Sequence, residues 1–283
     1  MAKTPPSTPV AASAPLSLFA GTSGWAYPTW RPKFYPQTVS PKNFLSWYAS
    51  QLNSVEVNYT FRKLPTPAML ARWLAGTGAG FRFYLKAPQR ITHFSRLRDC
   101  DQHVADLFAA LAPVAAVGKL GFILFQLPPN FKAHLPRLRT FLQAPAFRVQ
   151  NAPPIAFEFR NDTWFTEEAA NILREHNAAL CIAETEDFRS PEIHSAVGHT
   201  CFRLRKSGGY KPREVSAFAT RLLALTADRD VYVDFKHADE PTGALNAQAF
   251  LRCANELAPT PDSKPDLKPA EPARKPARPK ATK

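Results

Sequence analysis

The amino-acid sequence predicts an α/β fold, a single-domain TIM barrel of eight parallel strands covered by helices. Eight short apolar runs alternate with helix-like stretches over residues 18–258, the pattern of a parallel sheet covered by helices. About 240 residues is the length expected of eight βα repeats. Gly21-Thr22-Ser23-Gly24-Trp25 follows the first run where a dinucleotide-binding sheet needs G-x-G-x-x-G, and no P-loop occurs. A doubly wound open sheet is therefore the less favoured alternative.

The predicted strands are short runs of aliphatic, β-branched and aromatic residues bounded by polar or turn-forming segments. In chain order they are Leu18–Thr22, Ser54–Asn58, Phe81–Lys86, Gly121–Gln126, Ile155–Arg160, Leu180–Glu184, Thr200–Arg205 and Val231–Lys236.

The predicted helices between them are amphipathic or rich in alanine and leucine. Thr166 precedes two glutamates, which is typical of a helix N-cap with acidic residues in the first turn. A further, weaker helix is expected over Phe188–Gly198. The other predicted helices are Asn43–Leu52, Pro67–Ala75, Asp101–Val117, Leu135–Leu142, Thr166–His176, Pro212–Leu225 and Leu245–Leu257.

Proline and charge distinguish the two ends of the chain from its middle. Residues 1–17 contain four of the 28 prolines and residues 259–283 contain seven, together with seven basic and three acidic residues. Segments of this composition cannot bury a core. The sequence therefore predicts a disordered N-terminal extension (1–17), a TIM-barrel domain (18–258) and a disordered basic tail (259–283).

Overall composition excludes several classes of protein. The 45% of hydrophobic residues exclude a fully disordered chain, and no apolar run is long enough to span a membrane. The four cysteines show no C-x-x-C spacing, so we expect a reduced, cytoplasmic protein without membrane partners. The extensions account for +5 of the net charge of +13, which leaves +8 on the body. A small anionic ligand is the expected partner, and nucleic acid could bind the basic surface and tail.

Alternation along the strands predicts a polar barrel interior. Side chains alternate between the two faces of a strand, and the face that the helices cover must be apolar. The polar side chains, which alternate with the apolar ones, should therefore point into the barrel. Functional sites of TIM barrels lie at the C-terminal ends of the strands, where these polar residues concentrate, although an internal ion-pair network is the alternative. The inward set is Glu56, Asn58, Thr60, Arg82, Tyr84, Lys86, Gln126, Glu158, Arg160, Glu184, Arg203, Arg205, Asp234 and Lys236.

Several short motifs at these strand ends follow one another in a defined order. They include Gly21–Trp25, Val55–Phe61, Lys86–Pro88, Gln126–Pro129, Glu158–Arg160, Arg203–Arg205 and Val233–His237. Together they resemble the domain-of-unknown-function-72 (YecE-like) family, over roughly residues 18–258. The resemblance implies a TIM barrel, and because no activity is established for that family, it leaves the function open.

One function that fits this pattern is a hydrolase or lyase with paired carboxylates. Glu56 and Glu158 lie three strands apart and could approach across the barrel as general acid and base. Lys86 and His93 are further catalytic candidates near strand ends. Aromatic residues among the ligand-binding candidates, together with Phe61, could stack on a sugar or a base. These candidates are Trp25, Tyr27, Asn58, Gln126, Arg160, Trp164, Arg203, Arg205, Lys236 and His237.

A phosphate site is expected over the last two strands. Arg203, Arg205 and Lys236 converge there, and Ser207-Gly208-Gly209 follows the seventh strand. Glycines let backbone N–H groups approach an anion closely. The sequence therefore favours an enzyme-like barrel whose polar pocket binds a phosphorylated sugar or a nucleotide-like compound, with hydrolysis as one reaction class.

Two alternatives remain from the sequence. A metal-dependent phosphodiesterase or nuclease would need several His, Asp and Glu residues at strand ends. No H-x-x-x-H or H-E-x-x-H spacing occurs and the clustered cations would repel a metal ion, so neither a metal site nor a cofactor is predicted. A non-enzymatic nucleic-acid or polyanion binding module is consistent with the basic body and tail.

Overall fold

Eight parallel strands form a nearly closed barrel in the computed structural model, which describes residues 18–236 and 240–258. Their hydrogen-bonded order is β1-β8-β7-β6-β5-β4-β3-β2, so β8 returns to β1 as in a TIM barrel. The predicted fold is confirmed, with strand boundaries within two residues of those expected. The strands are β1 (Leu18–Thr22), β2 (Ser54–Val57), β3 (Arg82–Lys86), β4 (Leu120–Gln126), β5 (Ile155–Glu158), β6 (Ala178–Glu184), β7 (His199–Leu204) and β8 (Asp230–Phe235).

Helices cover the outside of this barrel. Thr166 caps the fifth helix as expected, because its Oγ1 accepts a hydrogen bond from the N–H of Ala169 at 3.2 Å. The helices are α1 (Phe44–Gln51), α2 (Pro67–Ala75), α3 (Asp101–Ala116), α4 (Leu135–Leu142), α5 (Glu167–Glu175), α6 (Pro212–Ala224) and α7 (Thr242–Leu257).

The helix expected over Phe188–Gly198 is absent, and that part of the prediction is wrong. The segment lies along β6 in irregular conformation, with Arg189 bridging to Glu184 in antiparallel fashion. Serine hydroxyls from the segment bond to the strand: Ser195 donates to the Ala178 carbonyl at 2.6 Å, and Ser190 accepts from the Ala183 N–H at 2.7 Å. Such side-chain bonds to backbone compete with helix formation.

The seam between β1 and β2 is closed by one isolated backbone bridge, between Ser23 and Glu56, and otherwise by side chains. The Tyr48 hydroxyl accepts from the Thr22 N–H at 2.8 Å and donates to the Ser54 carbonyl at 3.0 Å. The Asn53 amide pairs with β1 as well, accepting from the Ala20 N–H at 2.8 Å. The strands approach so closely that a Cβ on Gly21 would lie 1.9 Å from the Ser54 carbonyl oxygen. Two polar side chains therefore supply the hydrogen bonds that a ladder provides elsewhere.

The barrel interior divides into an aromatic layer and an ionic layer. In the aromatic layer Phe19 stacks on Tyr232 at 4.8 Å between ring centroids, and Tyr84 stacks on Phe122 at the same distance. The ionic layer lies above it, toward the C-terminal ends of the strands. It consists of Ser23, Glu56, Glu158, Arg203 and Asp234, all buried. The aromatic layer fills the lower barrel, and the polar side chains of the interior lie toward the upper end.

The predicted extensions, residues 1–17 and 259–283, lie outside the described residues, as does His237. Among the helices of the part that the structure describes, none combines the length and apolar character that a membrane crossing needs.

Candidate functional site

Arg203 is the centre of the ionic layer. Its Nη2 lies 2.8 Å from Glu56 Oε1, and its Nη1 donates to Glu158 Oε2. The carboxylates come from β2 and β5, and both are almost completely removed from solvent. The planar guanidinium can bind two carboxylates at once, so the inward-facing acids predicted from the sequence meet on one arginine.

Asp234 occupies the other side of Arg203. Its Oδ2 accepts from the Ser23 hydroxyl at 2.8 Å, its Oδ1 accepts from the Tyr84 hydroxyl at 2.8 Å, and Arg203 Nε lies 3.6 Å away. Burial, and next the charge of Glu56, raise the pKa of Asp234 to about 7 despite the arginines. Asp234 can therefore exchange a proton near neutral pH, although it has no exposed surface of note.

Glu158 is held as a permanent anion. Burial by itself would raise its pKa, but Arg203 and Arg160 outweigh burial and hold the pKa at about 2. Arg160 Nε contacts Glu158 Oε1 at 2.8 Å, so both carboxylate oxygens are occupied. This arrangement does not support the expected acid and base pair: both oxygens of Glu158 are bound by arginines, and Glu56 lies fully buried beneath Arg203.

Above the ionic layer a cavity of about 380 Å³ opens at the C-terminal end of the barrel. We call it the mouth pocket. It brings together eight of the residues predicted to form the site. Its lining consists of Ser23, Tyr27, Asn58, Phe61, Arg62, Lys86, Gln126, Arg160, Arg203 and Arg205. Five of these side chains are cationic and, among the described residues, no acidic side chain lines this cavity.

Lys86 ends β3 and projects into the mouth pocket. Its Nζ lies over the Phe61 ring, 4.2 Å from the centroid, and His93 packs edge-on against the same ring at 4.9 Å. Burial lowers the pKa of Lys86 to about 8, a shift that the nearby Arg203 and Arg160 reinforce and that Glu56 and Glu158 oppose. Burial and the charge of Lys86 also lower the pKa of His93, so the imidazole is neutral at pH 7.

A second pocket of about 330 Å³ lies beside the first, with Arg160 and Arg205 on the wall common to both. Lys236 lines this second pocket, and its Nζ donates to Ser207 Oγ at 2.9 Å. Arg205 Nη1 is 3.7 Å from Asp234 Oδ2 and makes no hydrogen bond to any described residue. One guanidinium nitrogen between the two pockets, Arg205 Nη1, thus has no hydrogen-bond acceptor among those residues.

The glycine loop after β7 does not form the expected anion cradle. The Ser207 N–H donates to a Glu186 carboxylate oxygen, and the Gly209 N–H donates to the Lys206 carbonyl at 3.1 Å. The Tyr210 N–H donates to Asn246 Oδ1 at 3.0 Å. Because three donors of this loop region are occupied, the structure does not support the backbone part of the phosphate prediction, and the side-chain cations carry what remains of it.

Glu184 points away from the barrel interior, contrary to the prediction. On β6 the interior positions belong to Ala179 and Cys181, whereas Leu180 and Ile182 pack in the outer core. Glu184 lies on the same outer face as Leu180 and Ile182, and it accepts a hydrogen bond from the Tyr210 hydroxyl at 3.2 Å. The interior residues of β6 are small rather than polar, so the rule that polar residues point inward predicted the wrong interior face for this strand.

Two tryptophans predicted to bind ligand lie outside both pockets. Trp164 is 1% exposed, stacks on Phe159 at 4.6 Å, and donates its indole N–H to the Phe131 carbonyl at 2.7 Å. It belongs to the hydrophobic core, so its predicted ligand contact is wrong. Trp25 is half-buried against Trp73 and does not line the mouth pocket.

Ser23 and Arg62 line the mouth pocket but were missing from the predicted site. Ser23 stands in the Gly-Thr-Ser-Gly-Trp motif directly after β1, a signal that could have identified it. Arg62 follows a short helical turn, Tyr59–Phe61, and carries no such signal. Within residues 18–236 and 240–258, no group of three or more His, Cys, Asp or Glu side chains is placed to hold a metal ion.

Comparison with known proteins places this arrangement in a family. The chain is 33% identical over 128 residues to the UPF0759 protein YecE of Escherichia coli K12, a stretch covering 45% of this chain and 44% of YecE. It is 28% identical over 153 residues to the UPF0759 protein YunF of Bacillus subtilis, covering 53% and 52% respectively. The chain thus spans about half the length of the curated relatives it matches.

Solved structures support the fold. A DUF72 family protein from Thermotoga maritima superimposes with a TM-score of 0.72 at 22% identity, covering 84% of this chain and 99% of that protein. One from Enterococcus faecalis gives a TM-score of 0.70 at 18% identity, covering 84% and 96%. The family profile described as "Protein of unknown function DUF72" matches residues 19–272. The chain therefore belongs to the DUF72 family.

Proposed function

We propose that this protein is an enzyme-like TIM barrel that binds a small anionic compound, of the phosphorylated sugar or nucleotide class, in the mouth pocket. The observation that carries the proposal is the lining of that pocket. Arg62, Lys86, Arg160, Arg203 and Arg205 surround one cavity, and no acidic side chain of the described residues lines it.

The balance of charge supports an anionic ligand. Five cations line the pocket, and the acids that oppose them are the buried Glu56, Glu158 and Asp234. Because burial raises the pKa of Asp234 to about 7, that carboxyl is partly neutral at physiological pH. At least two positive charges therefore lack a full countercharge, and an anion bound there would supply it.

Arg205 is the strongest individual candidate for contact with the anion. Its side chain is partly exposed and lines both pockets, and its Nη1, which is buried 3.7 Å from Asp234 Oδ2, has no hydrogen-bond acceptor among the described residues. Arginine binds phosphate through two parallel hydrogen bonds. The amides of Asn58 and Gln126 line the same cavity and could bind the hydroxyl groups of a sugar.

Calorimetric titration with inorganic phosphate, ribose 5-phosphate and ribose tests the proposal. We expect saturable binding of the two phosphate compounds and none of ribose. Arg205→Ala should weaken ribose 5-phosphate binding by about 1.5–3 kcal/mol, the value of a charged hydrogen bond, which is roughly 10- to 150-fold in Kd. Arg174→Ala, which removes an exposed cation paired with Glu167, should leave binding unchanged.

Absence of phosphate binding, or equal binding by wild type and Arg205→Ala, would contradict the proposal. The alternative of a polyanion-binding module is favoured by the net charge of +13. A single-stranded oligonucleotide that binds wild type and Arg205→Ala equally well, while ribose 5-phosphate does not bind, would favour that alternative.

A further inference from the structure

We propose that Lys86 is a nucleophilic amine that forms a Schiff base with an aldehyde or ketone carrying a phosphate or similar anionic group. The inference rests on the proposed function, because the cations of the mouth pocket would hold the anionic group while Lys86 reaches the carbonyl carbon. It adds a reaction class, carbonyl chemistry through a covalent imine, to the binding of an anion.

The position of Lys86 is the first argument. It lies at the C-terminal end of a barrel strand, where the catalytic groups of this fold are found. It lines the same cavity as Arg160, Arg203 and Arg205. An anionic compound bound by those guanidiniums would therefore place the rest of its atoms in the cavity that the lysine enters.

The surroundings of the amine are the second argument. Among the residues described, no carboxylate lies within 4.0 Å of Lys86 Nζ, which instead lies over the apolar Phe61 ring at 4.2 Å. Other lysines near the barrel mouth are engaged by polar groups. Lys206 Nζ binds Glu214 at 3.1 Å, and Lys236 Nζ binds Ser207 Oγ at 2.9 Å. The face of the Phe61 ring attracts the ammonium form, so the burial of Lys86 and the nearby guanidiniums of Arg203 and Arg160 are what favour the reactive neutral amine.

The protonation state follows from this environment. A lysine with a pKa of about 8 has roughly a quarter of its amines neutral at about pH 7.5, whereas an ordinary lysine has about one in a thousand. Groups that face Lys86 electrostatically are Glu56, Glu158, Arg160, Arg203 and the neutral His93. The two acids raise the pKa of Lys86 and the two arginines lower it, so burial is the cause that favours the neutral amine.

The reaction balances without any further reagent. The neutral amine attacks the carbonyl carbon, an N–C bond forms, and the C=O π electrons move to oxygen. One proton passes from nitrogen to that oxygen and a second arrives from solvent, so the oxygen leaves as water while the nitrogen lone pair forms C=N. Overall, a lysine ammonium and a carbonyl give a protonated imine and one water. His93 packs against the same Phe61 ring but does not line the mouth pocket, so solvent accepts and supplies these protons.

Trapping with sodium borohydride tests the inference. Borohydride delivers hydride to the imine carbon and leaves a stable secondary amine, which peptide mass spectrometry locates. The full-length protein is treated with glycolaldehyde phosphate or, as the matched control, with glycolaldehyde. We expect Lys86 to react with the phosphorylated probe at least about tenfold faster than any other lysine, and faster than with the neutral probe. Excess inorganic phosphate should slow this reaction.

Two variants complete the design. Lys86→Arg keeps a cation in the pocket but cannot form an imine, so the fast labelling should disappear. Lys42→Arg, the same change at an exposed lysine that lines neither pocket, should label Lys86 as wild type does. Labelling spread evenly over surface lysines, or unaltered in Lys86→Arg, would overturn the inference.

The two proposals fail in distinguishable ways. If calorimetry shows phosphate binding but Lys86 is not labelled preferentially, the Schiff-base inference is wrong and the anion pocket stands. If Lys86 reacts equally with both probes and phosphate does not compete, the anion site is wrong, and with it the proposed class of substrate.

Discussion

Arg203 of β7 joins Glu56 of β2 to Glu158 of β5 across the inside of the barrel. Its Nη2 lies 2.8 Å from Glu56, and its Nη1 donates to Glu158. The guanidinium is 3% exposed, so water cannot substitute for either carboxylate. One arginine therefore compensates two buried charges that belong to strands far apart in sequence, and it also forms the floor of the mouth pocket.

Replacing this arginine should be severely destabilising. Arg203→Met keeps much of the side-chain volume but leaves Glu56 and Glu158 buried without their common partner. We expect the free energy of unfolding to fall by about 3–5 kcal/mol, the usual cost of breaking a buried ion pair. Urea denaturation followed by circular dichroism measures it. Arg174→Met, at an exposed pair with Glu167, should cost at most about 1 kcal/mol. Equal small losses in both variants would show that the ionic layer contributes little to stability.

Asp234 should make stability depend on pH in a defined direction. Burial and Glu56 raise its pKa from 3.8 to about 7, so the folded protein retains a proton that the unfolded chain releases. Its contribution to stability is therefore present below about pH 4 and lost as the pH rises through about 7. Relative to Asp234→Asn, the wild type should lose roughly 2–4 kcal/mol of unfolding free energy over that range.

Urea denaturation of both proteins at a series of pH values checks this expectation. Asp106→Asn, at an exposed aspartate on α3, provides the control, and its difference from wild type should vary little with pH. A difference between wild type and Asp234→Asn that is constant, or that grows in favour of wild type at high pH, would contradict the prediction.

Gly21→Ala tests the seam between β1 and β2. A Cβ at this position would lie 1.9 Å from the Ser54 carbonyl oxygen, so the strands would have to separate where Tyr48 and Asn53 hold them. We expect a loss of about 1–3 kcal/mol or more in unfolding free energy. Gly80→Ala is the matched control, because nothing lies within 4 Å of its added Cβ, and thermal melts of the two variants should differ by several degrees. Two identical melts would show that the seam is loose.

Trp164→Ala should separate stability from ligand binding. Trp164 is 1% exposed and packs against Phe159 and Phe131, so its removal should cost about 3–5 kcal/mol of unfolding free energy. It does not line the mouth pocket, and the affinity of the remaining folded protein for ribose 5-phosphate should stay within about twofold, a difference of less than 0.5 kcal/mol. A much larger loss of affinity with unchanged stability would return this tryptophan to the binding site.

Much of the fold could be predicted because the relevant signals are local. Strand and helix boundaries depend on hydrophobic periodicity and on caps such as Thr166, which involve residues near one another in sequence. The one missing helix, over Phe188–Gly198, fails for a non-local reason, since its serines bond to β6 instead of capping or ending a helix. Only packing against the sheet selects that alternative.

The candidate site was predictable in its residue types and less so in their roles. The alternation of polar and apolar residues correctly predicted that Lys86, Arg203 and Asp234 lie in the barrel interior or at its mouth. It misplaced Glu184, because alanine and cysteine fill the interior positions of β6. The partners of the buried carboxylates were not predictable either. Sequence spacing cannot show that Arg203 rather than a ligand occupies Glu56 and Glu158.

The sequence by itself determined the eightfold alternation of strands and helices, the strands on which polar residues concentrate, and the excess of positive charge. These follow from periodicity and composition, which are properties of short segments. Only the tertiary structure decided that Glu158 is a fixed anion, that Asp234 titrates near neutral pH, and that Lys86 lies beside an apolar ring without a carboxylate partner within 4.0 Å among the described residues. The reason is physical: the pKa of a buried group depends on burial and on charges brought close from distant strands, and neither exists until the barrel has closed.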